Sequence, residues 1–156
     1  MESALLLVVI IIAVALFFGY TNGFHDAANS IATVIATKTL TPIQAVSMAA
    51  FFNFAIMFFI TFKVAATVGK GIVLPQAVTL YVIFGCLMGA ITWNLITWWL
   101  GLPTSSSHAL IGGLVGSALA SGGWEVVQVD GLIRILAFII AAPLIGFALG
   151  AALNTV

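Results

Sequence analysis

Long apolar runs separated by short polar clusters set the outline of this chain. Apolar residues dominate 4–20, 43–62, 77–100 and 132–153, and a run richer in small residues covers 104–120. A helix needs about 20 predominantly apolar residues to cross the hydrocarbon core of a bilayer. The pattern predicts an all-α integral membrane protein with about five membrane helices or half-helices. The first helix, 4–20, meets a polar interruption and resumes as a shorter helix ending near Lys38, so 4–38 is expected as one broken element. Pro42 opens the second span, 43–62. The third, 77–100, ends at Gly101-Leu102-Pro103, because proline lacks an N–H and disfavours a helical residue before it. A helix restarts at Thr104 and runs to 120, and the last span, 132–153, carries Pro143.

Charge sharpens the assignment. Of 156 residues, 63% are hydrophobic and 5% charged, with mean hydropathy +1.31. Soluble domains carry about 25% charged residues, so this chain lacks the polar surface to face water on all sides. The 54 residues from 71 to 124 contain no Asp, Glu, Lys or Arg. A net charge of zero argues against a nucleic-acid partner. The single Cys86 cannot form an internal disulfide. Glu2, rather than a basic region, precedes the first apolar run and no small-residue cleavage site follows it, so the run is expected as a mature helix and not a signal peptide. Lys63 and Lys70 are expected as headgroup-level anchors. The spread of Lys38, Lys63, Lys70 and Arg134 sets no orientation.

Two polar clusters interrupt the apolar pattern. The first runs from Thr21 to Ser30. Asn22, Asp26, Asn29, Thr33 and Thr37 are spaced 4, 3, 4 and 4 apart, which places them on one helix face. An ionised side chain at the centre of a membrane helix costs about 2.5–3.5 kcal/mol on insertion scales, which makes Asp26 a functional candidate. In the bland alternative, Asp26 and Asn29 only cap a new helix in a loop outside the membrane.

The second cluster is Pro103-Thr104-Ser105-Ser106-Ser107-His108. Hydroxyls directly after a helix break fall on a first turn, where backbone N–H groups lack internal partners and the dipole end is positive. Such a turn suits an anion, as in the discontinuous helices of transporters. Trp98-Trp99 would ordinarily mark a membrane interface. The hydroxyl cluster favours instead a re-entrant hairpin with its tip at residues 101–103. Behind it, Gly112 and Gly116 form a GxxxG pair, and Ala109, Gly113 and Ser117 form a second small row, both suited to close helix packing. An N-cap on an ordinary span is the alternative here.

Asn53 and Asn94 are expected to hydrogen-bond between helices. Phe51, Phe52, Phe54, Phe58 and Phe59 are expected to face lipid or pack. No hydrolase signature surrounds Ser105 and His108, and two His with one membrane Asp fall short of a metal site. Neither enzymatic chemistry nor a resident metal is expected.

The same clusters carry a family resemblance. Gly23-Phe24-His25-Asp26-Ala27-Ala28-Asn29-Ser30, with Thr33, resembles the signature segment of the inorganic phosphate transporter (PiT) family. Leu102-Pro103-Thr104-Ser105-Ser106-Ser107-His108, with Gly112 and Gly116, resembles its second motif. Ala49-Ala50-Phe51-Phe52-Asn53-Phe54 and Trp93-Asn94-Leu95 fall between them in order. The likeness covers nearly the whole chain and is nearest to the bacterial, proton-coupled branch. It implies secondary transport of inorganic phosphate, also as metal–phosphate in bacterial relatives, by symport with a cation. It implies a fold of two inverted repeats, each with one broken helix and one re-entrant hairpin, of which this sequence holds the N-terminal one.

On that basis, substrate contacts are expected from Asp26, Asn29, Thr33, Thr104, Ser105, Ser106 and Ser107. Coupling-ion contacts are expected from Asn22, His25, Asp26 and His108. Many sodium-coupled members have Asn at the position of His25 and Glu at that of Asn53. Imidazole changes charge between about pH 5 and 8, so a proton is expected over sodium, with no further cofactor. The expected partners are phosphate, membrane lipid, and a second copy of the chain or a separately encoded second half. The expected location is the cell membrane, multi-pass, in a bacterial inner membrane. Two alternatives stand beside this one: a non-transporting subunit or truncated remnant, and a carrier of another oxyanion such as sulfate.

Overall fold

A computed structural model describes residues 2–59 and 71–154. Lys63, Lys70 and the end of the expected second span lie outside the described residues. The architecture is all-α, as the apolar pattern requires. Its helices are α1 (Glu2–Ala36), α2 (Pro42–Ile56), α3 (Leu80–Trp99), α4 (Ser106–Gly122) and α5 (Val129–Asn154). Among the described residues, α1, α3 and α5 are long and apolar enough to cross a membrane, and α2 is a shorter apolar helix.

The expected interruption of the first helix is corrected. α1 is one continuous helix of 35 residues, about 52 Å at 1.5 Å per residue. No proline breaks it between residues 21 and 30. The short polar side chains bond back onto its own carbonyls: Thr21 Oγ1 donates to Phe18 O at 2.9 Å and Ser30 Oγ to Ala27 O at 2.9 Å. Such bonds let polar residues remain helical in an apolar setting. α1 ends where Lys38 takes a left-handed conformation, φ 58°, with Lys38 N bonding Ile35 O. A capping box starts α2: Gln44 N donates to Thr41 Oγ1, the Thr41 amide donates to Gln44 Oε1, and Pro42 occupies the first turn.

α3 and α4 form an antiparallel helical hairpin. Gly85 and Gly89 of α3 face Ser117 and Gly113 of α4, and a Cβ added at Gly113 would lie 2.5 Å from the Cys86 carbonyl oxygen. The hairpin thus uses the second small row. Gly112 and Gly116, the GxxxG pair, meet nothing within 4 Å. The restart after Pro103 comes slightly later than expected, with Ser105 as N-cap and Ser106 as first helical residue.

The base of the hairpin is closed by the chain on either side of it. Leu74 N bonds Val126 O at 2.9 Å, Gln128 N bonds Ile72 O at 2.8 Å, and Val73 pairs with Val127 in an isolated antiparallel bridge. Ile72, Val73, Val82 and Ala118 form the buried core there. α5 departs from this base with Pro143 inside it and its apolar side chains exposed. Asn53 is exposed, and Phe51, Phe52, Phe54, Phe58 and Phe59 are exposed too.

Candidate functional site

The hairpin tip lies against the middle of α1, at the polar cluster. Gly101, φ +67°, makes the reversal that only glycine adopts without strain. Phe24 of α1 packs edge-on against Trp98, with ring centroids 5.5 Å apart. Beside this contact three hydroxyl residues of the hairpin meet four polar residues of α1.

Ser106 Oγ donates to Asp26 Oδ2 at 2.8 Å and also meets the Asn22 carboxamide. Asn29 Nδ2 donates to the Thr104 carbonyl at 3.3 Å. His25 Nε2 lies 3.3 Å from Thr97 Oγ1 and 3.4 Å from Thr104 Oγ1. The Thr97 hydroxyl proton is engaged with the backbone carbonyls of Trp93 and Asn94, and Thr104 Oγ1 donates to Thr97 Oγ1 at 3.0 Å. Both threonine oxygens therefore present lone pairs to the ring, which puts a proton on Nε2. The other ring nitrogen, Nδ1, faces Asp26. It lies 3.8 Å from Asp26 Oδ1 and has no hydrogen-bond partner among the described residues. His25 and Ser106 are buried, and the Asp26 side chain is half exposed.

The cluster thus joins Asn22, His25, Asp26, Asn29, Thr104 and Ser106. Four other candidates lie apart from it. Thr33 is exposed on α1, where its carbonyl accepts from Thr37 Oγ1. Ser107 is exposed. Ser105 caps α4, its Oγ accepting from His108 N at 3.4 Å. Ser105 and His108 line a groove of about 740 Å³ with Trp93, Pro103, Thr104 and Gly112. Thr104 borders both sides of the tip. The start of α4 therefore presents Ser106 to Asp26 and Asn22 on α1 and Ser105 to an open groove.

One residue of the site is new. Thr97 joins the cluster, and Asn94, one helical turn earlier, is fully buried with neither side-chain atom bonded among the described residues. This corrects the expected interhelical bond of Asn94. The 94/97 spacing inside an apolar span was the available signal, since i and i+3 share a helix face.

The model of the phosphate transporter family matches residues 22–156, which takes in the second polar cluster and all of the first but Thr21. A probable low-affinity inorganic phosphate transporter of Rhizobium meliloti is 55% identical over 92% of this chain and 43% of its own length. Proteins of the same description from Streptomyces halstedii and Bacillus subtilis are 54% and 44% identical over 96% of this chain. The chain spans 70% of the Streptomyces protein and 45% of the Bacillus protein. No solved structure matches the chain. With a family model covering residues 22–156, this membrane protein belongs to the phosphate transporter family.

Proposed function

We propose that the chain is a half-unit of a secondary transporter that moves inorganic phosphate by symport with protons. The observation that carries this is the Ser106–Asp26 contact. It joins a carboxylate to the first turn of a helix, where the leading N–H groups lack backbone partners one turn earlier and His108 N is capped by Ser105 Oγ. The continuous α1 offers side chains but no free amides at its middle, so anion contacts come from α4 and its hydroxyls. Phosphate, or a metal–phosphate complex, binds at Thr104, Ser105 and Ser106. Asp26 and His25 hold the coupling proton.

Electrostatics gives the coupling its direction. A phosphate anion at the first turn of α4 and an ionised Asp26 bonded to that turn from α1 repel each other. Protonation at Asp26 or at His25 Nδ1 removes or offsets that repulsion and frees Ser106 Oγ to turn toward the anion. Proton and phosphate then load together and leave together. The exposed apolar surface of α5 and the relatives' greater length support a second half-unit, either another copy of the chain or a separately encoded partner, in a bacterial cell membrane.

Uptake of labelled phosphate into proteoliposomes tests the proposal. An inward proton gradient should raise uptake several-fold, and both Asp26→Asn and His25→Gln should remove that rise. Uptake indifferent to the gradient excludes proton coupling. Full competition by sulfate would mark a general oxyanion carrier, and absence of phosphate binding would leave only an assembly role for the polar cluster.

A further inference from the structure

The charged side chains among the described residues fall into two groups. Glu2, Asp26 and Lys38 belong to α1 and its end, whereas Glu125, Asp130 and Arg134 gather at the base of the hairpin. Trp124 beside them is exposed, and α5 carries no charge from Ile135 to Asn154. Exposed tryptophan and charged residues at the head of an apolar span mark headgroup depth. A cavity of about 530 Å³ opens there, lined by Ile72, Gln128, Asp130, Arg134, Ile135 and Phe138. Its shape is set by backbone. Gln128 N bonds Ile72 O at 2.8 Å, and α5 passes so close to residue 71 that a Cβ on Gly131 would strike the Gly71 carbonyl.

Asp130, Arg134 and Phe138 are spaced i, i+4 and i+8, on one face of α5. Opposite charges at the first of these spacings ordinarily pair with each other. Here Asp130 and Arg134 line one cavity, yet neither makes an ion pair or side-chain hydrogen bond among the described residues. The cavity thus holds an unpaired carboxylate and an unpaired guanidinium at headgroup depth, with the apolar Phe138 one turn deeper. A simple anion would be repelled by Asp130, and a simple cation by Arg134. A ligand carrying both charges answers both. We propose that this cavity binds a zwitterionic phospholipid whose ammonium bears N–H groups, of the phosphatidylethanolamine type. Arg134 takes the phosphate through its planar fork of donors. Asp130 accepts from the ammonium, and Ile135 and Phe138 border the glycerol and the first acyl carbons. A glycerol headgroup leaves the Asp130 carboxylate beside a net negative lipid, and a choline headgroup has no N–H to give it. The volume falls within the range of about 300–1,000 Å³ usual for small-ligand pockets, and basic pockets at the ends of membrane helices are established lipid headgroup sites.

This site is independent of phosphate transport and requires only that the chain sit in a membrane. Native mass spectrometry tests it, with the full chain released from nanodiscs of equal parts phosphatidylethanolamine, phosphatidylglycerol and phosphatidylcholine. One phosphatidylethanolamine should stay bound, about tenfold above either competitor, the factor that one charge-assisted hydrogen bond supplies. For the wild-type chain, stepwise N-methylation of that headgroup should lower retention with each N–H removed, a result that needs no variant to fold. Arg134→Gln should lower retention about tenfold. Asp130→Asn should bring phosphatidylglycerol to within about twofold of phosphatidylethanolamine, because the repelling charge is gone. Glu125→Gln, at the same depth but outside the cavity, should change nothing. Equal retention of the three lipids by the wild-type chain overturns the proposal, and so does a preference that survives both Arg134→Gln and Asp130→Asn. A lipid-free dimer as the main species, lost in Arg134→Gln, would overturn it in favour of a second copy of the chain.

Discussion

Ser106 Oγ donates to Asp26 Oδ2 at 2.8 Å, across a separation of 80 residues. The bond fixes the hairpin tip to α1 at one named point. Interhelical side-chain hydrogen bonds in membranes contribute about 0.6–2 kcal/mol, and the half-exposed carboxylate keeps this one toward the lower end. In a double-mutant cycle of Asp26→Asn and Ser106→Ala, thermal unfolding should give a coupling of about 1 kcal/mol. Additive effects would show that the two groups do not support each other.

Ser105 and Ser106 are neighbours with different duties. Ser105→Ala removes an N-cap and should cost about 1 kcal/mol of stability. It should leave the Asp26–Ser106 contact in place. Ser106→Ala should weaken phosphate uptake at least tenfold and reduce its proton dependence. Equal pH profiles in the two variants would contradict the separate faces that the helix start gives them.

Gly113 and Gly112 make a second matched pair. A Cβ at Gly113 would meet the Cys86 carbonyl at 2.5 Å, a backbone atom that cannot swing away, whereas Gly112 has open space. Gly113→Ala should push α3 and α4 apart and destabilise by about 1–3 kcal/mol. Gly112→Ala should be neutral or stabilising by about 0.5–1 kcal/mol, through helix propensity. Thermal melts of the two variants decide it, and the reverse order would mean that the other glycine row forms the seam.

Gly101 holds φ +67° at the hairpin tip. Gly101→Ala should cost about 1–2 kcal/mol in backbone strain. The penalty should appear in the unfolding midpoint and, because the tip carries Thr104, also in uptake. An unchanged midpoint would mean that the reversal tolerates other conformations.

Much of this was legible from residue types and spacing. Asn22, Asp26 and Asn29 stand on one face because α1 is helical there, and Pro103 and Pro42 mark real helix boundaries. Three features were not legible, for separate reasons. Polar residues 21–30 look like a helix break in lipid, but Thr21 and Ser30 bond to their own helix, and Asn22, Asp26, Asn29 and His25 Nε2 to the hairpin, which pattern alone does not show. Which serine turns toward Asp26 depends on the phase of α4, and each residue advances about 100° around the axis. A one-residue uncertainty in the N-cap therefore exchanges Ser105 for Ser106. The choice between two adjacent glycine rows depends on the same phase.

The pairing of Ile72 with Gln128 and of Leu74 with Val126 ties the hairpin at the end far from Thr104. α4 has 17 residues, so a rigid rotation of the hairpin about that seam would act over an arm of about 25 Å. A rigid swing of about 10° would carry the far end about 4 Å. That exceeds the slack in any of the hydrogen bonds to α1, so even a small rotation would part all of them together and switch the contact as a unit.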